Sequence, residues 1–174
     1  TYADFELIIV NDASPEDVDS IVASYSDERI QYYRNEKNIG GTDLVAQWNY
    51  CISYAKGEYL ILASDDDIYS LEYLEKMDTL VQRYPETNVF RCRVKRFDNS
   101  GRILQIDGYE GEFLTKIEYL HLLTSRHIGS GIPFVIFKRD ALMKIGGFVN
   151  YPLAWFSDDA TIMKLADNGI GIYS

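Results

Sequence analysis

Three consecutive aspartates, Asp65, Asp66 and Asp67, follow an apolar run over residues 59–63 and a single serine, Ser64. Adjacent carboxylates repel one another, so the triplet needs a cation or hydrogen-bond donors to offset its charge if it is drawn out of water. A hard divalent cation takes oxygen ligands, and Mg²⁺ or Mn²⁺ held by one or two carboxylates completes its shell with phosphate oxygens and water. The same triplet also reads as a solvated acidic turn that caps the next helix. Two other acidic positions raise the same kind of question. Asp12 stands after the apolar residues 5–10, in Asn11-Asp12-Ala13-Ser14. There a carboxylate either accepts hydrogen bonds from a ligand's imide N–H or hydroxyls, or closes an Asx-turn. Asp158 and Asp159 follow Ser157 at the start of a helical pattern. Either they complement the helix dipole behind a serine cap, or one of them is a general base.

The elements that would carry these residues alternate. Residues 5–10 read as a strand buried on both faces. A helix opens near Glu16 with Ser14 as its N-cap, and Pro15-Glu16-Asp17 suits a first turn. Residues 30–34 form a short strand. Leu44, Trp48, Cys51, Ile52 and Ala55 then fall on one helical face. Residues 59–63 form the strand that delivers the aspartates, and Leu71, Leu74, Met77, Leu80 and Val81 mark an amphipathic helix ending before Pro85. Such alternation implies crossovers and a mostly parallel sheet, whose ligands bind beyond the carboxyl ends of its strands. In the second half, residues 89–97 and 103–106 flank the turn Asp98-Asn99-Ser100-Gly101 as a hairpin. A strand at 132–137, a short helix ended by Gly146-Gly147 and a last helix over 158–166 complete the pattern. With no repeat, linker or low-complexity stretch, residues 1–174 read as one domain whose two halves, about 1–88 and about 89–174, differ in character.

Composition narrows the field. With 174 residues, 47% of them apolar, the chain can bury one substantial core. A net charge of −10 argues against a nucleic-acid backbone as partner and against adhesion to anionic lipid by charge alone. Cys51 and Cys92 stand apart in apolar contexts and read as buried reduced thiols. His121 and His127 have no partner pattern and read as structural. No apolar stretch reaches the length of a membrane span.

Three blocks carry a resemblance to family 2 glycosyltransferases of the GT-A fold, and a fourth segment adds to it. Phe5-Glu6-Leu7-Ile8-Ile9-Val10-Asn11-Asp12-Ala13-Ser14 resembles the family's first nucleotide-contacting segment, E-I-I-V-V-D-D-G-S, with Asn11 and Ala13 departing from its Asp and Gly. The run from Asn49 to Tyr59 resembles N-x-x-I-x-x-A-x-G-E-Y, which leads into the metal-binding D-x-D region. Phe156-Ser157-Asp158-Asp159 stands where the family carries an acidic pair that includes the catalytic base, and residues 137–148 resemble F-x-R-x-A-L-x-x-I-G-G-F on the acceptor side.

The resemblance implies an α/β GT-A fold and an inverting transfer of a sugar from a nucleotide-diphosphate donor to a carbohydrate or lipid-linked acceptor hydroxyl. It implies Mn²⁺ or Mg²⁺ as cofactor, surface polysaccharide or glycolipid synthesis, and a site at the cytoplasmic face. By alignment on Gly57-Glu58-Tyr59, Asp66 is the direct metal ligand and Asp65 serves the ribose or the metal shell. Ser64 replaces the leading Asp of D-x-D, and Asp67 either compensates or caps the next helix. Asp12 falls to nucleotide recognition, Asp159 to the base and Asp158 to acceptor orientation. Trp155 is either a core or rim aromatic or a stacking surface for an acceptor sugar. Two other classes stay open: a sugar nucleotidyltransferase, and a non-catalytic domain that binds nucleotide sugar and cation.

The resemblance also implies a central first strand for which no counterpart is present in this sequence, as well as a longer C-terminal end. That strand would lie between residues 5–10 and 59–63. The expectation is therefore a gap filled by another strand, a strand swapped within a homodimer, or weak stability.

Overall fold

The structure is a computed structural model that describes residues 2–109 and 111–173; residues 1, 110 and 174 lie outside the described residues. In chain order the elements are β1 (Leu7–Asn11), α1 (Val18–Ala23), β2 (Ile30–Arg34), α2 (Leu44–Ile52), β3 (Tyr59–Ile61), α3 (Tyr73–Arg83) and β4 (Val89–Cys92). There follow β5 (Lys95–Phe97), β6 (Ile103–Ile106), β7 (Phe113–Leu114), α4 (Lys116–Thr124), β8 (Val135–Lys138), α5 (Arg139–Lys144), α6 (Ser157–Leu165) and β9 (Ile170–Tyr173).

Short polar side chains set the helix starts. Asp17, rather than Ser14, caps α1 by accepting from the Ser20 amide at 3.1 Å. Asp43 caps α2 through the Ala46 amide at 2.9 Å. Thr115 and Glu118 form a reciprocal capping box on α4.

Strands β1 and β2 pair in parallel as a ribbon of their own. The main sheet runs β3-β8-β4-β9-β7, and β5 and β6 make the expected hairpin. The α/β alternation is as read from the sequence, but the main sheet is mixed rather than mostly parallel. Only β4 and β9 pair in parallel, because β8 returns antiparallel between β3 and β4. The segment between β4 and β8 holds a hairpin and α4 instead of a single crossover helix, so it brings the chain back in the opposite sense.

Alternation along β4 and β8 covers both faces of this sheet. Val89, Val135 and Phe137 join Val45, Ile52, Leu142 and Ile162 on one side, while Phe90 and Ile136 meet Tyr73, Met77 and Leu80 of α3 on the other. Among the described residues no strand lies between β1 and β3, and the two do not pair. With β2 as its one sheet neighbour, β1 is not buried on both faces; Leu7 is 42% exposed. Glu6 ties the ribbon to the approach to β3 by accepting from the amides of Lys56 at 2.6 Å and Gly57 at 3.0 Å.

Candidate functional site

Strand β3 ends at Ile61, earlier than the sequence pattern suggests, so Asp65 and Asp66 lie in an exposed turn beyond it, with Asp67 following. Helix α3 begins only at Tyr73, and its N-cap is Glu72, so Asp67 does not cap it. Partial burial, together with the charge of Asp66, pushes the Asp67 carboxyl above its ordinary range. Among the described residues no three His, Cys, Asp or Glu side chains converge into a metal cage. Exposed carboxylates that repel one another suit a hard cation bound by one or two of them and completed by ligand oxygens.

Asp12 lies just past the end of β1, where its carboxylate is occupied from within. Oδ1 accepts from Nδ2 of Asn35 at 2.6 Å and from the Ile39 amide at 2.9 Å, while Oδ2 accepts from the Gly40 amide at 2.7 Å. Burial works against the charge, but these donors outweigh it and hold Asp12 below the usual carboxylate range. A side chain on Gly40 would press on Oδ2, since a Cβ there would stand 3.1 Å from it. The Asx-turn belongs to Asn11, whose Oδ1 accepts from the Ser14 amide at 2.8 Å, while Ala13 takes a left-handed φ of 54°. Asp12 is thus a clamp between β1 and the 38–40 loop.

The acidic pair does come together. Ser157 is the first residue of α6 rather than its cap, which falls on Phe156 in a left-handed conformation. The Ser157 hydroxyl instead accepts from the Tyr151 amide at 3.1 Å, securing the preceding turn. Asp158 is half-buried and Asp159 buried, and the Ser130 hydroxyl lies between them, 2.9 Å from Oδ2 of Asp159 and 3.2 Å from Oδ2 of Asp158. Burial raises the Asp159 carboxyl above its ordinary range and Asp158 adds to the effect, whereas Ser130 and the Arg91 guanidinium oppose it. Trp155 is 67% exposed, so it is not a core residue.

Three polar residues here were not anticipated. Ser130 precedes β8 in a glycine-flanked turn. Arg91 and Asp107 form a buried ion pair at 2.6 Å, and Asp107 also accepts from the Gly129 amide at 2.9 Å. The available signal was Arg91 itself, a cation inside an otherwise apolar strand pattern.

The sites stand apart: no hydrogen bond or ion pair among the described residues links Asp12, Asp65–Asp67 and Asp159. Cys51 and Cys92 are free thiols, half-buried, and burial pushes each to about 11.

The profile of Glycosyl transferase family 2 matches residues 1–146. An uncharacterized glycosyltransferase of Haemophilus influenzae is 30% identical over 148 residues, covering 84% of this chain and 47% of that protein. One of Rickettsia typhi is 30% identical over 149 residues, covering 82% of this chain and 45% of the relative. The chain thus spans about half the length of these curated relatives. Among solved structures, S. aureus TarS 1–349 in complex with UDP-GlcNAc superposes with a TM-score of 0.75 at 22% identity, over 98% of this chain and 47% of that one. The mannosyltransferase PcManGT of Pyrobaculum calidifontis, in complex with GDP-Man and Mn²⁺, gives a TM-score of 0.60 at 18% identity, over 97% of this chain and 45% of that one. These likenesses establish the GT-A fold. With the match over residues 1–146, the chain belongs to glycosyl transferase family 2.

Proposed function

We propose that the protein is a metal-dependent inverting glycosyltransferase, moving a sugar from a nucleotide-diphosphate donor to a hydroxyl of a carbohydrate or lipid-linked acceptor. The observation that carries this reading is the Asp158–Asp159–Ser130 cluster. A mostly buried carboxylate raised above its ordinary range is suited to take a proton, because a base works best with a pKa drawn toward the operating pH. In this reading Asp159 removes the acceptor hydroxyl proton as the oxygen attacks the anomeric carbon opposite the leaving group, and Asp158 orients the acceptor.

On the donor side Asp66, with Asp67 beside it, would hold Mn²⁺ or Mg²⁺, and Asp65 would meet the ribose. Asp12 acts with the 38–40 loop at the nucleotide. A divalent ion held there would neutralise the charge that develops on the diphosphate leaving group. The solved neighbours support this reading by their own contents, UDP-GlcNAc in TarS and GDP-Man with Mn²⁺ in PcManGT. Residues 1–88 then serve the donor and residues 89–174 the acceptor within one domain, working at the cytoplasmic face in surface polysaccharide or glycolipid synthesis. Among the described residues no helix is long and apolar enough to cross a membrane.

The test is a thermal-shift panel of nucleotide sugars, with and without Mn²⁺, on the full-length protein and on Asp66→Ala. Binding to the native state raises Tm by mass action. The expected result is a Mn²⁺-dependent shift with one donor, abolished in Asp66→Ala without loss of fold. An undiminished Mn²⁺-dependent shift in the variant removes Asp66 from the metal. Binding without transfer identifies a non-catalytic nucleotide-sugar domain instead.

A further inference from the structure

The polar cluster behind Asp159 extends deeper than proton abstraction requires. Arg91 is 1% exposed and Asp107 is 3% exposed, so their ion pair is sealed from water. A pair of this kind contributes little net stability, because each charge gives up its hydration. Stability alone does not account for it.

The bonding around the pair leads toward the proposed base. Asp107 accepts from Nη2 of Arg91 through Oδ2 and from the Gly129 amide through Oδ1. Gly129 is joined directly to Ser130, and the Ser130 hydroxyl donates to Asp159. A continuous series of contacts therefore runs from Arg91 through Asp107 and the 129–130 turn to the Asp159 carboxylate. The guanidinium is also held against the rings of Phe134 at 5.0 Å and Tyr119 at 5.9 Å. Among the described residues, Nη1 of Arg91 and Oδ1 of Asp159 are buried without a hydrogen-bond partner. Unsatisfied charged atoms are costly when buried, and here one belongs to a cation and the other to a carboxylate on which that cation acts.

We propose that Arg91, anchored by Asp107, is a positioning residue for Asp159: it sets a fixed, water-excluded positive charge near the carboxylate and, through the 129–130 turn, keeps the Ser130 hydroxyl on it. The proposal rests on the reading of Asp159 as general base. The groups acting on Asp159 agree with it. Burial and the neighbouring Asp158 oppose ionisation, whereas Ser130 and Arg91 favour it, and Arg91 is the one cation in that set among the described residues. Tyr119 of α4 faces the same group. Its hydroxyl is pushed up chiefly by burial, Asp159, Asp158 and Asp107 add to this, and Arg91 acts in the opposite direction. Without Arg91, a carboxylate so placed would spend more of its time protonated and unable to accept a proton.

The test reads Asp159 directly and needs no substrate. Full-length protein carrying ¹³C-labelled aspartate carboxyls is titrated by NMR, with the Asp159 signal assigned by its loss in Asp159→Asn. The double variant Arg91→Met, Asp107→Asn removes both charges, while the new amide oxygen still accepts from Gly129. Its Asp159 midpoint is expected to rise, because losing the Arg91 charge raises it and losing the Asp107 charge offsets only part of that rise. Asp107→Asn alone leaves Arg91 charged and uncompensated, and its midpoint is expected to fall. An unchanged or lower midpoint in the double variant overturns the proposal. If circular dichroism shows that the double variant does not fold, the single variant decides: a fall supports the proposal, and no change or a rise overturns it. Transfer assays on Asp159→Asn keep the two readings distinct. Retained transfer would remove Asp159 as the base, whereas the NMR midpoints still report whether Arg91 acts on it.

Discussion

At the scale of single residues, two carboxylates are displaced in opposite directions, and their substitution should have opposite consequences. Asp159 is raised in the folded state, so between its unfolded value of about 3.9 and its folded value the native state binds more protons and stability falls as pH rises. Asp159→Asn is therefore expected to melt at or above the unaltered protein at pH 7, with the difference closing as pH drops toward about 4. Its transfer rate should fall by roughly 10²–10⁴-fold at saturating donor. A lower Tm at pH 7 would contradict the sign of the displacement. Asp12 is lowered, so its contribution is complete above the unfolded value and disappears as pH falls through the folded one. Asp12→Ala leaves the Ile39 and Gly40 amides without their acceptor and Asn35 with Gln47 alone, and it should cost about 1–3 kcal/mol near neutral pH, measured by urea unfolding. The cost should shrink in acid. The acidic residues themselves were legible in the sequence, because their types and neighbours mark them. Their partners were not: Ser130 and Asp159 are 29 residues apart, and only the return of β8 brings them together.

At the scale of elements, the existence and kind of most helices and strands followed from periodicity, while their ends did not. Leu71 fits the apolar stripe of α3, yet it precedes the helix and is 92% exposed. The stripe identifies a face but not where the backbone begins to coil. Ser157 has the chemistry of a cap but lies inside α6, because residues 152–156 approach it in a conformation that no periodicity announces. Leu153, Ala154 and Phe156 all have φ near +60°. Left-handed non-glycine residues cost of order 1–3 kcal/mol each unless their surroundings compensate. Leu153 is 87% exposed, so its side chain offers little packing in return. Leu153→Gly is accordingly expected to leave thermal stability unchanged or to raise it. A loss beyond about 1 kcal/mol would instead show that the side chain is covered in the working protein.

For the molecule as a whole, the family and the α/β layering could be read from three sequence blocks, but the strand directions could not. Alternation of strand and helix suggests parallel neighbours, and β8 departs from that because a hairpin and a helix lie in its connection. The gap expected between residues 5–10 and 59–63 corresponds to two strands that, among the described residues, each have a single neighbour, β2 for β1 and β8 for β3. Backbone groups on an unpaired edge open to water more readily than those inside a ladder. Hydrogen exchange on this chain should therefore be faster at the amides of β1 and β3 than at those of β4, which is flanked by β8 and β9. Equal protection in all three would mean that the open edges are covered in solution.

The Glu6 contact has a mechanical meaning. Among the described residues, the ribbon that carries Asp12 shares no ladder with the sheet that leads to the aspartate triplet. It is attached through side chains, by Glu6 to the Lys56 and Gly57 amides, by Asn35 to Gln47 and by the stacked rings of Tyr33 and Tyr54. Such fastenings give way one at a time, whereas a ladder resists as a unit. Force that separates the ribbon from β3 is thus expected to fall on these few latches, which makes the seam between β1 and β3 the expected compliant direction.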